Sequence, residues 1–311
     1  MNIQQFQYVL AVVDSKNFDA AAEKCCVTQS TLSTMINKFE DEISIKIFNR
    51  KTKPVTITKE GQQVIERLRI IINEVDLLNN VVQEIKGEMV GDLKIGIIPT
   101  IAPYLLPLFI NDFVTKFPKV NFIIKEMTTE QIQKDLLIRD LDIGILALPL
   151  SHKDLSETPI YNEPFLIYDC TENKSRSKRS PTDLDFAKMC LLEEGHCLRT
   201  QIYDICQLSA GTVHDQANLK FESGSMESLI RITESREGIT ILPHLSFHSL
   251  DEDAKKDIIS FKDPVPVRSI GLATHKFFVK KSLKKDLIEA IQKSVASLIP
   301  ETDSVEVINP I

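Results

Sequence analysis

The chain has 311 residues, of which 43% are hydrophobic and 26% charged, and it carries a formal net charge of −7 at pH 7. This length suffices for two or three domains with full cores, and the composition is that of an ordinary soluble protein. No apolar run in the sequence approaches the roughly 18 residues of a membrane span, and no signal peptide opens it. We therefore expect a cytoplasmic protein that binds no membrane. Because the net charge is negative, any contact with nucleic acid must use a local basic patch.

The first residues indicate a helical DNA-binding head. Apolar side chains recur at helical spacing in residues 3–14 and 18–25, and a polar break precedes a third helix that Thr28 can cap. Two short helices joined by a tight turn are typical of a helix-turn-helix, whose second helix enters the major groove. We expect its polar and basic side chains to contact DNA: Thr28, Gln29, Ser30, Thr31, Ser33 and Lys38.

A basic stretch follows these helices. Residues 46–59 hold five positive side chains and no acidic one, and we assign Arg50, Lys51 and Lys53 to DNA contacts. The alternating pattern at 54–58 predicts one strand of a wing. Together these features predict a winged helix-turn-helix over residues 1–58. The alternative is a small helical domain with a solvated basic loop.

A heptad repeat then predicts a dimerising rod. Apolar residues recur every seven positions in two registers, which is the pattern of a coiled-coil seam. The two registers are Val64, Ile71, Leu78 and Ile85, and Leu68, Val75, Val82 and Met89. We assign residues 59–90 to a linker helix and hinge that hold two copies of the chain together. The alternative is a long core helix of a single domain.

From residue 92 onward strands and helices alternate. Apolar runs at 93–98, 120–125 and 141–148 are separated by amphipathic helices at 104–117 and 129–139. This βαβαβ order calls for a parallel sheet covered by helices, with ligands bound at the carboxyl ends of the strands.

A second α/β unit begins near residue 165 and includes a strand near Phe221, while the segments at 269–273 and 283–298 return to the first unit. We therefore predict a two-lobed α/β regulatory domain. Its predicted boundaries are 91–300 for the whole domain, about 91–162 plus 268–300 for lobe I, about 163–267 for lobe II, and 301–311 for a tail.

Two cysteines on a short tether point to redox chemistry. Cys197 stands between His196 and Leu198-Arg199, and Cys206 follows nine positions later. We expect the imidazole, the guanidinium of Arg199 and a helix start to stabilise the thiolate of Cys197, which is the form that reacts with oxidants. Cysteines of a cytoplasmic protein are reduced at rest, so a closely spaced pair is more often reactive or metal-binding than structural.

The geometry of the tether fits a switch. If residues 198–206 are helical, the two Cα atoms lie about 13 Å apart on opposite helix faces. A disulfide needs Cα atoms within about 7 Å, so the bond requires the segment to unwind. Unwinding would also move Leu198, Ile202, Ile205 and Leu208 out of their packing sites.

With the Thr28-Gln29-Ser30 helix, the heptad rod and two α/β lobes in one order, the chain resembles the LysR-type transcriptional regulators over nearly its full length. Within that family, the segment from Gly195 to Arg199 followed by Cys206 is similar to the peroxide-sensing OxyR group. Further matching segments are Ile98-Pro99-Thr100, Glu163-Pro164, Gly238 to Pro243 and Arg268 to Leu272.

This resemblance implies a regulatory domain like the periplasmic binding proteins and a function in controlling oxidative-stress genes. It makes Cys197 the peroxidatic thiol and Cys206 the resolving one. It places Thr100, Thr129, His196 and Arg268 around the peroxide, with Thr128 beside Thr129 as a competing choice. The implied partners are double-stranded promoter DNA, other copies of the chain (a dimer and then a tetramer), RNA polymerase and a thiol reductant. No enzyme activity, cofactor or metal is implied.

Three other interpretations remain open from the sequence. The chain could be a LysR-type regulator of a small metabolite bound between the lobes, with both cysteines as core residues. It could hold a metal with His196, Cys197, Cys206 and His214, although the spacing is unusual. It could be a thiol peroxidase, which would leave the DNA-binding head and the rod unexplained.

Overall fold

The structure is a computed structural model that describes residues 1–86, 89–172, 177–207 and 222–310. The predicted strand at Phe221 and the predicted packing of Leu208 lie outside these residues. The chain folds as two compact units, the first containing the N-terminal helices and the second containing the larger sheet. In the described part of the chain, no helix is long and apolar enough to cross a membrane.

The first unit has the winged helix-turn-helix elements that the sequence predicts. In chain order they are α1 (Ile3–Ser15), α2 (Phe18–Lys24), α3 (Gln29–Ile43), β1 (Phe48–Asn49), β2 (Thr56–Ile57) and α4 (Lys59–Ile85). Thr28 caps α3 as predicted, because its hydroxyl accepts the backbone N–H of Thr31 at 3.2 Å. The strands β1 and β2 pair antiparallel to form the wing.

A buried carboxylate fixes the wing against α3. Glu40 is only 1% exposed, and its Oε1 accepts the backbone N–H groups of Ile47 and Phe48 at 2.7 and 3.2 Å. These bonds satisfy the amides that enter the wing, so the carboxylate replaces the water they would otherwise need. The hydrophobic core of this unit lies between α1, α2, α3 and the start of α4, which contributes Ile65 and Leu68.

The long helix α4 divides into a packed start and an exposed remainder. Leu68 is 3% exposed, whereas Leu78 and Ile85 are 64% and 80% exposed. Among the described residues, Leu78 and Ile85 of the heptad seam are therefore largely uncovered by the rest of the chain. The inclusion of Met89 in the repeat is wrong, because the helix ends at Ile85 and Met89 packs against the core of the second unit.

The second unit is the two-lobed α/β domain. In chain order its elements are β3 (Gly91–Ile97), α5 (Ala102–Lys116), β4 (Val120–Glu126), α6 (Thr129–Leu137), β5 (Ile143–Leu148), β6 (Leu155–Asp169), β7 (Leu191–Leu192), α7 (Cys197–Ile205), β8 (Glu222–Ser223), α8 (Met226–Ser235), β9 (Ile239–Pro243), β10 (Ile258–Ser260), β11 (Val265–His275), α9 (Lys281–Val295) and β12 (Val305–Val307).

Two long strands join the lobes. The first part of β6 pairs with β11, and its last residues pair with β9 and β10. Strand β11 in turn pairs antiparallel with β5, which is parallel to β3, and β3 is parallel to β4. Two hydrophobic cores result, one around β3, β5, α5 and α9 and one around β9, α7 and α8. The two-lobed architecture predicted from the sequence is confirmed.

The sequence missed two features of this unit. Strand β6 begins at Leu155, ten residues before the predicted strand start at 165. The sequence missed this start because the first half of the strand, after Leu155, has no fully buried residue before Glu163 and includes Pro159. The predicted tail also joins the sheet, since β12 pairs in parallel with β11.

Candidate functional site

Cys197 begins a helix beside the loops at the carboxyl ends of strands. Gly195 adopts a φ of +96°, which only glycine accepts readily, and turns the chain so that α7 begins at Cys197. The thiol is 6% exposed. Backbone N–H groups of Cys197 and Leu198 bond to the sulfur, and these bonds lower the pKa of the thiol.

Cys197 lines a tight cavity that leaves no space for a water-sized molecule as the side chains stand. The lining comes from the loop after β3, the start of α6 and the start of α7, and it consists of Ile98, Pro99, Thr100, Thr128, Thr129, Gly195, His196 and Cys197. The structure therefore brings Thr100, Thr129, His196 and Cys197 together as predicted. A metabolite of ordinary size does not fit this cavity, and even a very small ligand enters only when the lining side chains move.

A buried ion pair holds Thr100 in place, although Arg268 itself is not among the residues that line the cavity. Arg268 is 1% exposed, and its Nε and Nη2 bond to Oε2 of Glu163 at 2.9 and 2.8 Å. Its Nη1 donates to the Thr100 hydroxyl at 2.9 Å, and its Nη2 donates to the Thr100 carbonyl at 3.1 Å. The other oxygen of Glu163 accepts the backbone N–H of Leu245 at 2.8 Å. Glu163 thus fixes the guanidinium that orients the Thr100 loop.

Burial dominates the electrostatics of Cys197. Desolvation raises the pKa of its thiol above the ordinary value of 9.0, and the nearby charge of Arg268 and the hydroxyl of Thr129 oppose this shift without cancelling it. Burial therefore favours the protonated thiol, against the stabilisation of thiolate that the sequence predicts.

The predicted sources of positive charge are also corrected. Burial lowers the pKa of His196, so its imidazole is neutral at pH 7 and supplies no charge. The guanidinium of Arg199 donates to the carbonyl of Leu192 at 2.7 Å and lies over the Tyr203 ring. The charge that acts on the sulfur comes from Arg268, which is 71 positions away in the sequence.

The two threonines at the start of α6 have different positions. Thr128 caps the helix, with its hydroxyl accepting the backbone N–H of Gln131 at 3.3 Å. Thr129 is 7% exposed, and its hydroxyl has no conventional hydrogen-bond partner in the part of the chain that the structure describes. Because the Thr129 hydroxyl also lowers the pKa of Cys197, it is the one beside the sulfur.

Cys206 lies at the other end of α7 and in the other core. The helix spans Cys197–Ile205 as predicted, and Cys206 is its C-cap. Cys197 packs in the core of the first lobe, whereas Cys206 packs in the core of the second and is 7% exposed. Burial raises the pKa of Cys206 to about 12. Both thiols are free, so the helix holds apart two groups that are close in sequence.

The predicted DNA-contacting side chains all lie in the first unit, but they differ in whether they are exposed or bonded to other side chains of the unit. Thr28, Gln29, Ser30, Thr31, Lys38, Lys51 and Lys53 are exposed. Arg50 is engaged within the chain, because its Nη1 donates to the Ser33 hydroxyl at 2.7 Å and its guanidinium lies 4.7 Å from the centre of the Phe18 ring. Arg50 and Ser33 therefore link the wing to α3.

Three residues near the site were missed as functional groups. Glu163 was noticed only as part of a matching segment. The Tyr161 hydroxyl is buried without a partner among the described residues, and the charges of Glu163 and Arg268 act on it. Burial raises the pKa of Tyr104 to about 12, and the same two charges act on it. Only the fold brings these residues together.

The metal interpretation gains no support. His214 lies outside the described residues. Among residues 1–86, 89–172, 177–207 and 222–310, no group of three or more His, Cys, Asp or Glu side chains is placed to hold a metal ion.

Comparisons with known proteins agree with this geometry. Residues 3–62 match the bacterial regulatory helix-turn-helix proteins of the lysR family, and residues 86–296 match the LysR substrate binding domain. The hydrogen peroxide-inducible genes activator of Haemophilus influenzae is 32% identical over 303 residues, which are 96% of this chain and 99% of that protein. The DNA-binding transcriptional dual regulator OxyR of Escherichia coli is 34% identical over 297 residues, or 94% and 95% of the two chains. A full-length OxyR variant from Pseudomonas aeruginosa has a TM-score of 0.75 at 27% identity, with 94% of this chain and 98% of that one covered.

The pKa of Cys197 is open to direct titration. The ultraviolet absorbance of thiolate, taken as the difference between the wild type and Cys197→Ser, should have its midpoint above pH 9, because burial raises this pKa. Arg268→Met removes the charge that lowers the pKa, so its midpoint should move higher still. Lys293→Met, a charge change on α9, should leave it in place. A wild-type midpoint below 9 would contradict the dominance of burial.

Proposed function

The chain belongs to the LysR family of helix-turn-helix transcriptional regulators, and we propose that it responds to hydrogen peroxide through a reversible Cys197–Cys206 disulfide. One observation carries this proposal: α7 holds two buried thiols in separate cores, and one of them lines a tight cavity together with the hydroxyl-bearing Thr100 and Thr129. The named activity of the relatives, induction of genes by hydrogen peroxide, supports the same function.

The cavity supplies groups for the oxidation of Cys197. The Thr100 hydroxyl accepts from Arg268, so its own proton remains available for a peroxide oxygen. The Thr129 hydroxyl is buried beside the sulfur and stabilises its thiolate form. The Cys197 thiol loses its proton, and the sulfur, as thiolate, attacks the near oxygen of the peroxide while the O–O bond breaks. The far oxygen leaves as hydroxide and takes up the proton that the thiol lost to form water, while sulfur is oxidised to sulfenic acid. Arg268 stabilises the charge that develops on the leaving oxygen.

The second step requires α7 to unwind. The Cys206 sulfur attacks the Cys197 sulfur, the S–O bond breaks, and the oxygen leaves as water with the thiol proton. The Cα atoms start about 13 Å apart, beyond the reach of a disulfide. Closing a loop of this size stabilises the product by about 2.5–3 kcal/mol. Unwinding must also move Leu198, Ile202 and Ile205 out of the second core.

The partners follow from the remaining surfaces. We assign promoter DNA to the exposed start of α3 and to the lysines of the wing. We assign self-association to the exposed apolar residues of α4, which would make a dimer and, through further contacts, a tetramer. The two further proposed partners are RNA polymerase and a thiol reductant that reopens the disulfide. The proposed location is the cytoplasm, which is reducing and keeps a buried thiol reduced at rest.

The two cysteines should behave differently under mild peroxide. Wild type should yield a Cys197–Cys206 linked peptide in mass spectrometry and an altered DNA footprint. Cys206→Ser should form a sulfenic acid at Cys197 that dimedone traps, with no linked peptide, and Cys197→Ser should do neither. Cys190→Ser, which removes a thiol from outside the site, is the control and should behave as wild type. If Cys197→Ser still switches its footprint, Cys197 is not the sensor.

Different residues of the DNA-binding head should control base preference and overall affinity for DNA. Gln29→Ala should relax base preference, since an amide can pair bidentately with adenine. Lys51→Ala or Lys53→Ala should weaken binding to all sequences and reduce the slope of log affinity against log salt by about one unit per lost phosphate contact. Lys293→Ala, on α9, is the charge-matched control. Quantitative footprinting at several salt concentrations measures both effects, and three unchanged variants would refute the assignment.

The exposed half of α4 should hold the dimer together. Leu78→Asp loses little intrachain packing, because Leu78 is 64% exposed, so the melting temperature of the monomer fold should hardly change. A charge on the seam should nevertheless give monomers in sedimentation equilibrium. Gln63→Asp places the same charge at an exposed position off the seam and should stay dimeric. An intact Leu78→Asp dimer would place the interface elsewhere.

A further inference from the structure

The end of the chain is built into the second lobe. Strand β12 pairs in parallel with the start of β11, with Val305 opposite Val265 and Val307 opposite Val267. The backbone N–H of Ile308 donates to the carbonyl of Val267 at 2.8 Å. Ile308 is 6% exposed and belongs to the hydrophobic core that contains Ile202, Ile205 and Cys206. Residues 305–310, here the C-terminal strap, thus contribute Ile308 to the core, while Val305 and Val307 stay 40% and 48% exposed.

A buried hydrogen bond connects the strap to the middle of α7. Gln201 is 0% exposed, and its Nε2 donates to the carbonyl of Ile308 at 3.2 Å. Its Oε1 has no partner among the described residues. Burying an amide group costs free energy of folding unless its polar atoms are hydrogen-bonded. The bond to Ile308 therefore offsets part of the cost of burying Gln201. Gln201 lies between the two reactive cysteines, inside the segment that must unwind.

We propose that the C-terminal strap is a redox latch, which holds α7 helical in the reduced chain and is released when the Cys197–Cys206 disulfide forms. This inference rests on the proposed function. Unwinding α7 moves Gln201 away from Ile308 and removes Ile202 and Ile205 from the core into which Ile308 packs. The strap then loses both its side-chain partner and its apolar neighbours, so its pairing with β11 is left without their support and opens more readily. Because the coupling is reciprocal, a chain without the strap must form the disulfide more readily.

Hydrogen exchange of the wild-type chain tests the release without any substitution. The amides of residues 305–308 should exchange at least about fivefold faster in the oxidised chain than in the reduced one, the change that loss of one net hydrogen bond sustains. Strand β4, which lies in the other lobe, is the internal reference and should keep its protection. The same measurement on peroxide-treated Cys206→Ser should show a protected strap, since that variant stops at the sulfenic acid.

The outcomes separate the latch from the function beneath it. If mass spectrometry finds no linked peptide in wild type, both the proposed function and the latch are refuted. If the linked peptide forms while the strap keeps its protection, the latch is refuted and the proposed function stands. Faster exchange in peroxide-treated Cys206→Ser would also refute the latch, because release would not then depend on the disulfide.

Two variants test the reciprocal effect. Gln201→Leu removes the donor at nearly constant helix propensity, and a chain ending at Ser304 removes the strap. Both should close the disulfide at least about fivefold faster than wild type in quenched-flow mass spectrometry, while sulfenic acid forms at Cys197 at the wild-type rate. Thr200→Val, at an exposed position of the same helix, is the matched control and should close at the wild-type rate. If the shortened chain fails to fold, Gln201→Leu decides alone, and wild-type closure in it overturns the proposal.

Discussion

The buried pair of Arg268 and Glu163 is the interaction on which the site depends. Each side chain is 1% exposed, so neither charge could remain in the core without the other. The pair satisfies its remaining hydrogen-bonding groups with Thr100 and with the backbone of Leu245. Through these bonds, strands β6 and β11 hold the loop after β3 against the cavity. The same guanidinium is the only full positive charge that acts on the Cys197 sulfur within the described residues.

Helix α7 is suited to be the element that changes. It has nine residues, no side-chain N-cap, no acidic residue in its first turn and no basic residue in its last turn. A helix of this length is marginal without tertiary packing, so its stability comes from the apolar face that it buries in the second core. The packing of this apolar face stabilises the helix enough to keep the two thiols apart. That stabilisation is also similar in size to the free energy gained by closing the disulfide loop, so oxidation can reverse it.

A raised pKa at Cys197 is compatible with a sensor. A buried thiol is shielded from bulky oxidants and alkylating agents, and in the proposed mechanism only a molecule as small as hydrogen peroxide enters the cavity, when its lining moves. The reaction of Cys197 with peroxide is then accelerated mainly by groups that bind peroxide and stabilise the leaving oxygen. The fraction of Cys197 that is thiolate at rest contributes less. Selectivity in this arrangement is a property of cavity size and hydroxyl placement.

The sequence by itself determined the elements, because helical spacing, caps and alternating apolar runs are local patterns. It predicted the cap at Thr28, the helix after Cys197 and the order of the strands, and it singled out Cys197 and Cys206 by their spacing. Only the tertiary structure decided which charge acts on Cys197, since Arg199 is two positions away in sequence whereas Arg268, whose charge acts on the sulfur, is 71 positions away. It also decided the direction in which the pKa of the thiol moves, because desolvation depends on what covers a group. The strap at Ile308 and the pairing of Arg268 with Glu163 are contacts between distant parts of the chain, and no local pattern encodes them.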